Sequence, residues 1–485
     1  TRSGSAATTR ASSSPPQTDR SPVTPLFSPT PAAPVMSQRS DAVTAALSDL
    51  HGRTVSWFRL DGGKHRGAIG VAEGEALERA VRLGVELGVP VVGALATSGA
   101  DVGEGVASLH AWGRVARALS DASGVVPTLL AVVGPCVSGP ALMLGLADQV
   151  VMTSDAFAYV SGPDTVSAFT GVPVGRTDLG GASVHELRSG VAALVVDDDA
   201  DALAAMATML DYLPDHHLDD PPREVAVDPV DRDCARAASV VPDRPTASYD
   251  VRAIVADVVD EGTFFELRAR HAPNLVTGLA RLGGRPVGVV ANQPSQRAGT
   301  LDITGSQKGA RFVQWCDAFN VPLLTFVDTT GFEPGTDLEW RGIIRHGAQL
   351  VHAYAAATVP RLCVVVRKAY GGAYIVMDSK TLGSDWYCAW PGTEIAVMGA
   401  APAVQILYRK RLAGIPDERA RRAEQLTLEQ EYSERFASPL PAAERGYVDE
   451  VIAPADTRRV LGAALARLAT KQESPSSRRH SNSPL

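Results

Sequence analysis

The stretch Arg367-Lys368-Ala369-Tyr370-Gly371-Gly372-Ala373-Tyr374-Ile375-Val376-Met377 follows the uncharged run Leu362-Cys363-Val364-Val365-Val366. A short apolar run rich in β-branched residues predicts a buried strand, and the apolar residues beyond the glycines predict a helix. Two glycines between a strand and a helix have two readings. They permit a tight turn or close helix packing, or they remove the Cβ atoms that would hold a ligand away from the peptide N–H groups, which is what an oxyanion site requires. The remainder of the chain decides between them.

With 485 residues, the chain has room for two large domains or about three average ones. Its 45% hydrophobic and 21% charged residues are those of a soluble globular protein. The net charge of −8 and the lack of a long basic run argue against nucleic acid or an anionic membrane as principal partner. Local arginine clusters remain available to a phosphate-bearing ligand. Cys136, Cys234, Cys316, Cys363 and Cys388 form no C-x-x-C pair, so neither a metal site nor a disulfide framework is indicated, and a reducing, cytoplasmic setting is expected. Residues 128–147 carry no charge and approach the length of a membrane span. Gly134-Pro135 and Ser138-Gly139-Pro140 interrupt them, which predicts strand, turn and helix instead.

Residues 1–45 are rich in Ser, Thr, Pro and Arg and are expected to be a disordered extension. Residues 46–245 and 246–470 each alternate apolar β-branched runs with helical periodicity, the pattern of an α/β fold with a largely parallel or mixed sheet. A proline-rich, acidic linker over 211–248 joins them, and 471–485 form a polar tail. The two blocks repeat each other. Val89-Pro90-Val91-Val92 is echoed by Val321-Pro322-Leu323-Leu324, Thr97-Ser98-Gly99 by Thr329-Thr330-Gly331, and Ser138-Gly139 by Gly371-Gly372. The offsets are 322 − 90 = 232, 331 − 99 = 232 and 372 − 139 = 233. Three landmarks that keep within one residue of the same spacing make the blocks copies of one fold.

A turn present in both copies offers two sites for oxyanions, as a reaction between two carbonyl-derived anions would use, each contributing on the order of 3–4 kcal/mol to the transition state. Other signatures are missing. Gly62-Gly63-Lys64 is followed by His65 and fails the P-loop pattern, and neither a zinc-protease motif nor a nucleophile elbow occurs.

Gly371-Gly372-Ala373-Tyr374, Ala389-Trp390-Pro391 and Glu394-Ile395-Ala396-Val397-Met398-Gly399-Ala400 resemble the carboxyltransferase (β) subunit of biotin-dependent acyl-CoA carboxylases. So do Val327-Asp328, Gly331-Phe332, Pro334-Gly335-Thr336-Asp337 and Leu282-Gly283-Gly284-Arg285-Pro286-Val287-Gly288. The resemblance covers roughly residues 54–454. It implies two tandem crotonase-like (ClpP/crotonase) domains, the first facing acyl-CoA and the second carboxybiotin on a separate carrier protein. It further implies biotin carboxylase and biotin carboxyl carrier subunits as partners, and a homo-oligomer, usually a hexamer. No metal is implied in this chain.

Carried over by motif, the Gly372 and Ala373 amides would hold the biotin oxygen. Those of Ser138 and Gly139 would hold the thioester enolate. Gly371, Tyr374, Gly99 and Ala100 would line the substrate, and Ile375 falls at the family position that tunes acyl choice. An apolar residue there resembles versions that accept acetyl-CoA, whereas Asp is common in propionyl-type enzymes. The first block departs from the family. Ser138 stands for a glycine, Pro140 removes an N–H, and Asp101 replaces a cation. These departures leave open a non-standard acceptor, or a catalytically silent assembly subunit. His185 and His346 are expected to be structural, because the implied chemistry needs no imidazole.

Overall fold

The structure, a computed structural model, describes residues 40–226, 228–244 and 246–473, with 482 and 484. Most of the expected disordered extension and tail therefore lies outside the described residues. One boundary is corrected: the first strand begins at Val43, inside the expected extension.

The first sheet contains β1 (Val43–Leu50), β2 (Arg53–Leu60), β3 (Val91–Thr97), β4 (Thr128–Val137), β5 (Gln149–Thr153), β6 (Phe157–Tyr159) and β7 (Leu194–Val196). Their order is β1-β2-β3-β4-β5-β7, with β6 beside β4. The second contains β8 (Phe265–Leu267), β9 (Leu275–Leu282), β10 (Arg285–Asn292), β11 (Leu323–Thr329), β12 (Arg361–Tyr370), β13 (Trp386–Ala389), β14 (Glu394–Ala396) and β15 (Glu450–Val451). Their order is β15-β13-β12-β11-β10-β9-β8, with β14 beside β12. The first copy opens on the antiparallel hairpin β1–β2 and the second on the antiparallel strands β8, β9 and β10, and parallel strands follow. This is the arrangement of two tandem crotonase-like domains.

The parallel strands are buried on both faces, which is why they read as continuous apolar runs. In the first sheet Val91, Leu95, Leu130 and Val132 pack with the helices Val71–Leu87 and Val106–Ala122. Val92, Ala94, Leu129 and Ala131 face the opposite way, into a core shared with helix Asp199–Leu210 and with Phe312 and Trp315 of the second copy. The helices begin and end where local chemistry allows. The Glu73 and Glu104 carboxylates accept the Gly70 and Val71 amides (3.1 and 2.6 Å) at the start of the first helix, and Gly88 closes it in the left-handed conformation.

Both copies break register at the same place. Leu95 pairs with Val132 but Thr97 with Cys136, and Val327 pairs with Val365 but Thr329 with Ala369. Extra residues on β4 and β12 lift their ends out of the main sheet, as a bulge does. The freed ends pair instead with β6 and β14.

The linker is clamped by a buried charge. Arg458, wholly buried, donates to Asp260 Oδ1 (2.7 Å), Val258 O (2.9 Å) and Pro229 O (2.9 Å). Asp260 in turn accepts the Gly283 and Gly284 amides of the β9–β10 turn (2.8 and 2.7 Å). Removing one partner leaves a buried charge without its counterion, so Asp260→Ala is expected to lower stability by about 3–5 kcal/mol in denaturant unfolding at fixed protein concentration. A loss under about 1 kcal/mol would mean that Asp228, 3.4 Å from Arg458, neutralises it alone.

Candidate active site

The second turn stands at the raised end of β12. Gly371 takes φ 60°, a value that disfavours any side chain, and opens the helix Gly371–Val376. The first amides of a helix lack intrahelical acceptors, so the Gly372 and Ala373 N–H groups are available to a ligand. Packing does not demand glycine at 372. A Cβ there would meet only the Phe332 ring, at an ordinary 3.7 Å, so the missing side chain serves to keep the space above the amide open. Gly371, Gly372, Tyr374, Ile375, Val397 and Tyr447 border a cavity of about 900 Å³. Ile375 is exposed to it, while the Tyr374 ring leans edge-on against buried Tyr387 with centroids 6.3 Å apart.

Charged groups hold this turn from behind. Buried Asp328 accepts Tyr249 Oη–H (2.8 Å), Arg367 Nε–H (2.9 Å) and the Lys368 amide (3.2 Å), and Arg367 also donates to Ala247 O (2.7 Å), tying the end of β12 to the linker. Burial pushes its carboxyl up and Arg367 pulls it back. Tyr370, just before the glycines, donates its hydroxyl to Glu394 on β14. Burial and that carboxylate raise the phenol, so it remains the donor. Beyond the helix, buried Asp378 pairs with Arg361 at 3.0 Å.

The first turn stands at the equivalent end of β4, and by the common offset (371 − 138 = 233) Ser138 matches Gly371, Gly139 matches Gly372 and Pro140 matches Ala373. The two turns are not chemically equal. Ser138 keeps the glycine conformation, φ 65° and ψ −154°, at a cost of about 1–3 kcal/mol for a residue with a Cβ. Its amide donates to Tyr159 O (2.9 Å), which corrects the expectation that the Ser138 N–H faces substrate. Gly139 opens a 3-10 helix, Gly139–Gly145, so its amide has no intrahelical acceptor. A Cβ on Gly139 would lie 2.8 Å from the Trp112 ring, so here packing does require glycine. Pro140 has no N–H to offer.

Gly99 and Ala100 are brought to this turn. Gly99 takes φ 109°, and a Cβ on it would lie 3.0 Å from Ser138 Cβ, while Ala100 bridges to Ile69. Asp101 accepts the Gly103 amide (2.8 Å) and caps its own loop. His185 is held at both nitrogens: Nε2–H donates to Ala158 O (2.8 Å) and Nδ1 accepts from Ser189 Oγ (2.7 Å). His346 Nδ1 lies 3.2 Å from Gln349 Oε1. Among the described residues no cluster of His, Cys, Asp and Glu is arranged to hold a metal, and no helix is long and apolar enough to cross a membrane.

A sheet built twice, each copy crowned by a strand-end turn, defines a duplicated protein of the crotonase-like class. A family profile described as the carboxyl transferase domain matches residues 21–483. The carboxyltransferase subunit of propionyl-CoA carboxylase from Haloferax mediterranei is 45% identical over 446 residues, 92% of this chain and 86% of that protein. The alpha subunit of methylmalonyl-CoA decarboxylase from Veillonella parvula is 39% identical over 446 residues, again 92% of this chain and 86% of that protein. The crystal structure of the transcarboxylase 12S hexamer with methylmalonyl-coenzyme A and methylmalonic acid bound superposes with a TM-score of 0.88 at 39% identity, covering 92% of this chain and 85% of that one. The chain belongs to the carboxyl transferase family, as a carboxyltransferase subunit of the biotin-dependent acyl-CoA carboxylase type.

The Arg361–Asp378 pair has a measurable signature. Burial pushes the Asp378 carboxyl up to about 7, with Arg361 opposing. The folded protein then binds this proton at pH values where the unfolded chain has lost it, so stability falls as pH rises from about 4 towards 7. Asp378→Asn is expected to flatten that part of the stability–pH curve, followed by thermal unfolding. An unchanged slope would assign the pH dependence to other groups.

Proposed function

We propose that the chain transfers a carboxyl group between carboxybiotin, carried on a separate protein, and the α-carbon of a short acyl-CoA, acetyl-CoA or propionyl-CoA. The observation that carries this reading is the open space above the Gly372 and Ala373 amides, held by a backbone conformation that only Gly371 adopts without strain. Carboxybiotin supplies the carboxyl group and a ureido nitrogen able to take the α-proton. The part of the chain is to hold two oxygens: the Gly372 and Ala373 amides the ureido oxygen, and the first turn the thioester oxygen. Neutral N–H donors fixed in place stabilise such anions without reorganising. Ile375, exposed to the cavity, supplies an apolar wall for the acyl group.

Biotin carboxylase and biotin carboxyl carrier subunits are the proposed partners, and a hexamer of this chain the proposed assembly. Large apolar side chains exposed in both copies support assembly, among them Val102, Leu109 and Phe169 in the first and Trp340, Val397 and Leu407 in the second. The occupied Ser138 amide and the anion at Asp101 favour a second reading, in which the acceptor is a thioester other than the two named. The chemistry is the same in either direction, as the decarboxylase relative illustrates.

The purified chain, supplied with carboxylated carrier and a panel of short acyl-CoA esters, is expected to yield malonyl- or methylmalonyl-CoA. No carboxylated product from any ester, and no decarboxylation of either product, would contradict the proposal. Gly372→Val is expected to lower kcat on the order of 10²–10³-fold with the thermal midpoint nearly unchanged, because the space it fills is open. Wild-type turnover in that variant would remove Gly372 from the site.

A further inference from the structure

The first turn presents a puzzle that its partner does not. At the matching position in the second copy, glycine takes φ 60° without penalty; here a serine is forced to φ 65°. A residue in this region persists only where its surroundings over-determine it, and such residues gather at functional sites. Glycine would fit the Ser138 backbone better, so what serine adds is its hydroxyl.

That hydroxyl is well placed and unused. Ser138 is exposed, and among the described residues its Oγ has no hydrogen-bond partner. It stands beside Gly99: a Cβ built there would lie 3.7 Å from Ser138 Oγ. The backbone around it is short of donors. The Ser138 amide is engaged by Tyr159 O, and Pro140 has none, which leaves the Gly139 amide alone where the second turn offers Gly372 and Ala373. One donor is half of a usual oxyanion site.

We propose that Ser138 Oγ–H is the second donor of the acyl-CoA turn, a catalytic hydroxyl that joins the Gly139 amide in holding the thioester oxygen as the enolate forms. This rests on the acyl-CoA reading given above. The serine keeps its proton throughout and only donates a hydrogen bond. Because the donor is a side chain on a strained backbone, its loss and the relief of strain separate into two variants. Ser138→Ala removes the hydroxyl and keeps the strain; Ser138→Gly removes both.

Both variants are to be compared with wild type for kcat and KM with propionyl-CoA, for thermal midpoint, and for calorimetric binding of a coenzyme A analogue carrying a nitronate in place of the enolate. Both are expected to lose about 10–100-fold in kcat with KM little changed, and to bind the nitronate analogue at least about 10-fold more weakly. Ser138→Gly alone is expected to gain thermal stability. Equal binding of the analogue by wild type and Ser138→Ala would overturn the inference, as would wild-type kcat in that variant. Weakened analogue binding without any carboxyl transfer by the wild-type chain would instead overturn the reading of the reaction and leave the hydroxyl's role standing.

Discussion

Where Thr97 pairs with Cys136, and Thr329 with Ala369, the ladder skips residues on one strand, and everything at the site depends on that skip. A strand kept in register would end inside the sheet with its amides consumed by neighbours. The lifted strand instead pairs its last residues with a three-residue strand, β6 or β14, and then turns sharply through a residue at positive φ into a helical segment. The turn exposes amides at the first positions of that segment, where no intrahelical acceptor exists. Rigid strands behind the turn then fix those donors, as electrostatic stabilisation of a developing anion requires.

The two copies have diverged around this shared device. Behind the second turn lies a charged scaffold, with Asp328 joined to Tyr249, Arg367 and the Lys368 amide, and Arg361 joined to Asp378. At the first copy, Ala96 stands at the position of Asp328 and Gly134 at that of Arg367, by the same offsets (328 − 96 = 232, 367 − 134 = 233), so no such network can form. There the turn is held by the Trp112 ring over Gly139 and by the rigid Pro140. One site is stiffened by buried charge and the other by packing. Divergence of that kind suits two turns that hold different oxygens.

Much of this was legible in the chain. The repeat offset of 232–233 located both turns, because equal spacing of strands and turns survives even where side chains change. The long helices followed from their periodicity. What stayed hidden depends on contacts between distant residues. The loss of the Ser138 amide to Tyr159 is made by β6, too short to announce itself by pattern. Trp112 sits at ordinary helical spacing and gave no sign that it covers Gly139. Strand β1 begins in a segment poor in large apolar residues, and pairing with β2 rather than propensity makes it a strand. Pro140 and Gly145 favour a 3-10 segment where a helix was expected.

In the proposed assembly the first turn of one copy would meet the second turn of another, and the two together would complete one active site. Mixing two inactive variants tests it most directly: Gly372→Val, which blocks the second turn, and Gly139→Val, which blocks the first and presses on Trp112, each used once its thermal unfolding shows a folded chain. If each site draws one turn from either copy of a symmetric pair, co-expressed chains regain one intact site per mixed pair, about a quarter of wild-type carboxyl transfer. No recovery in mixtures shown to contain both chains in one assembly would contradict the account.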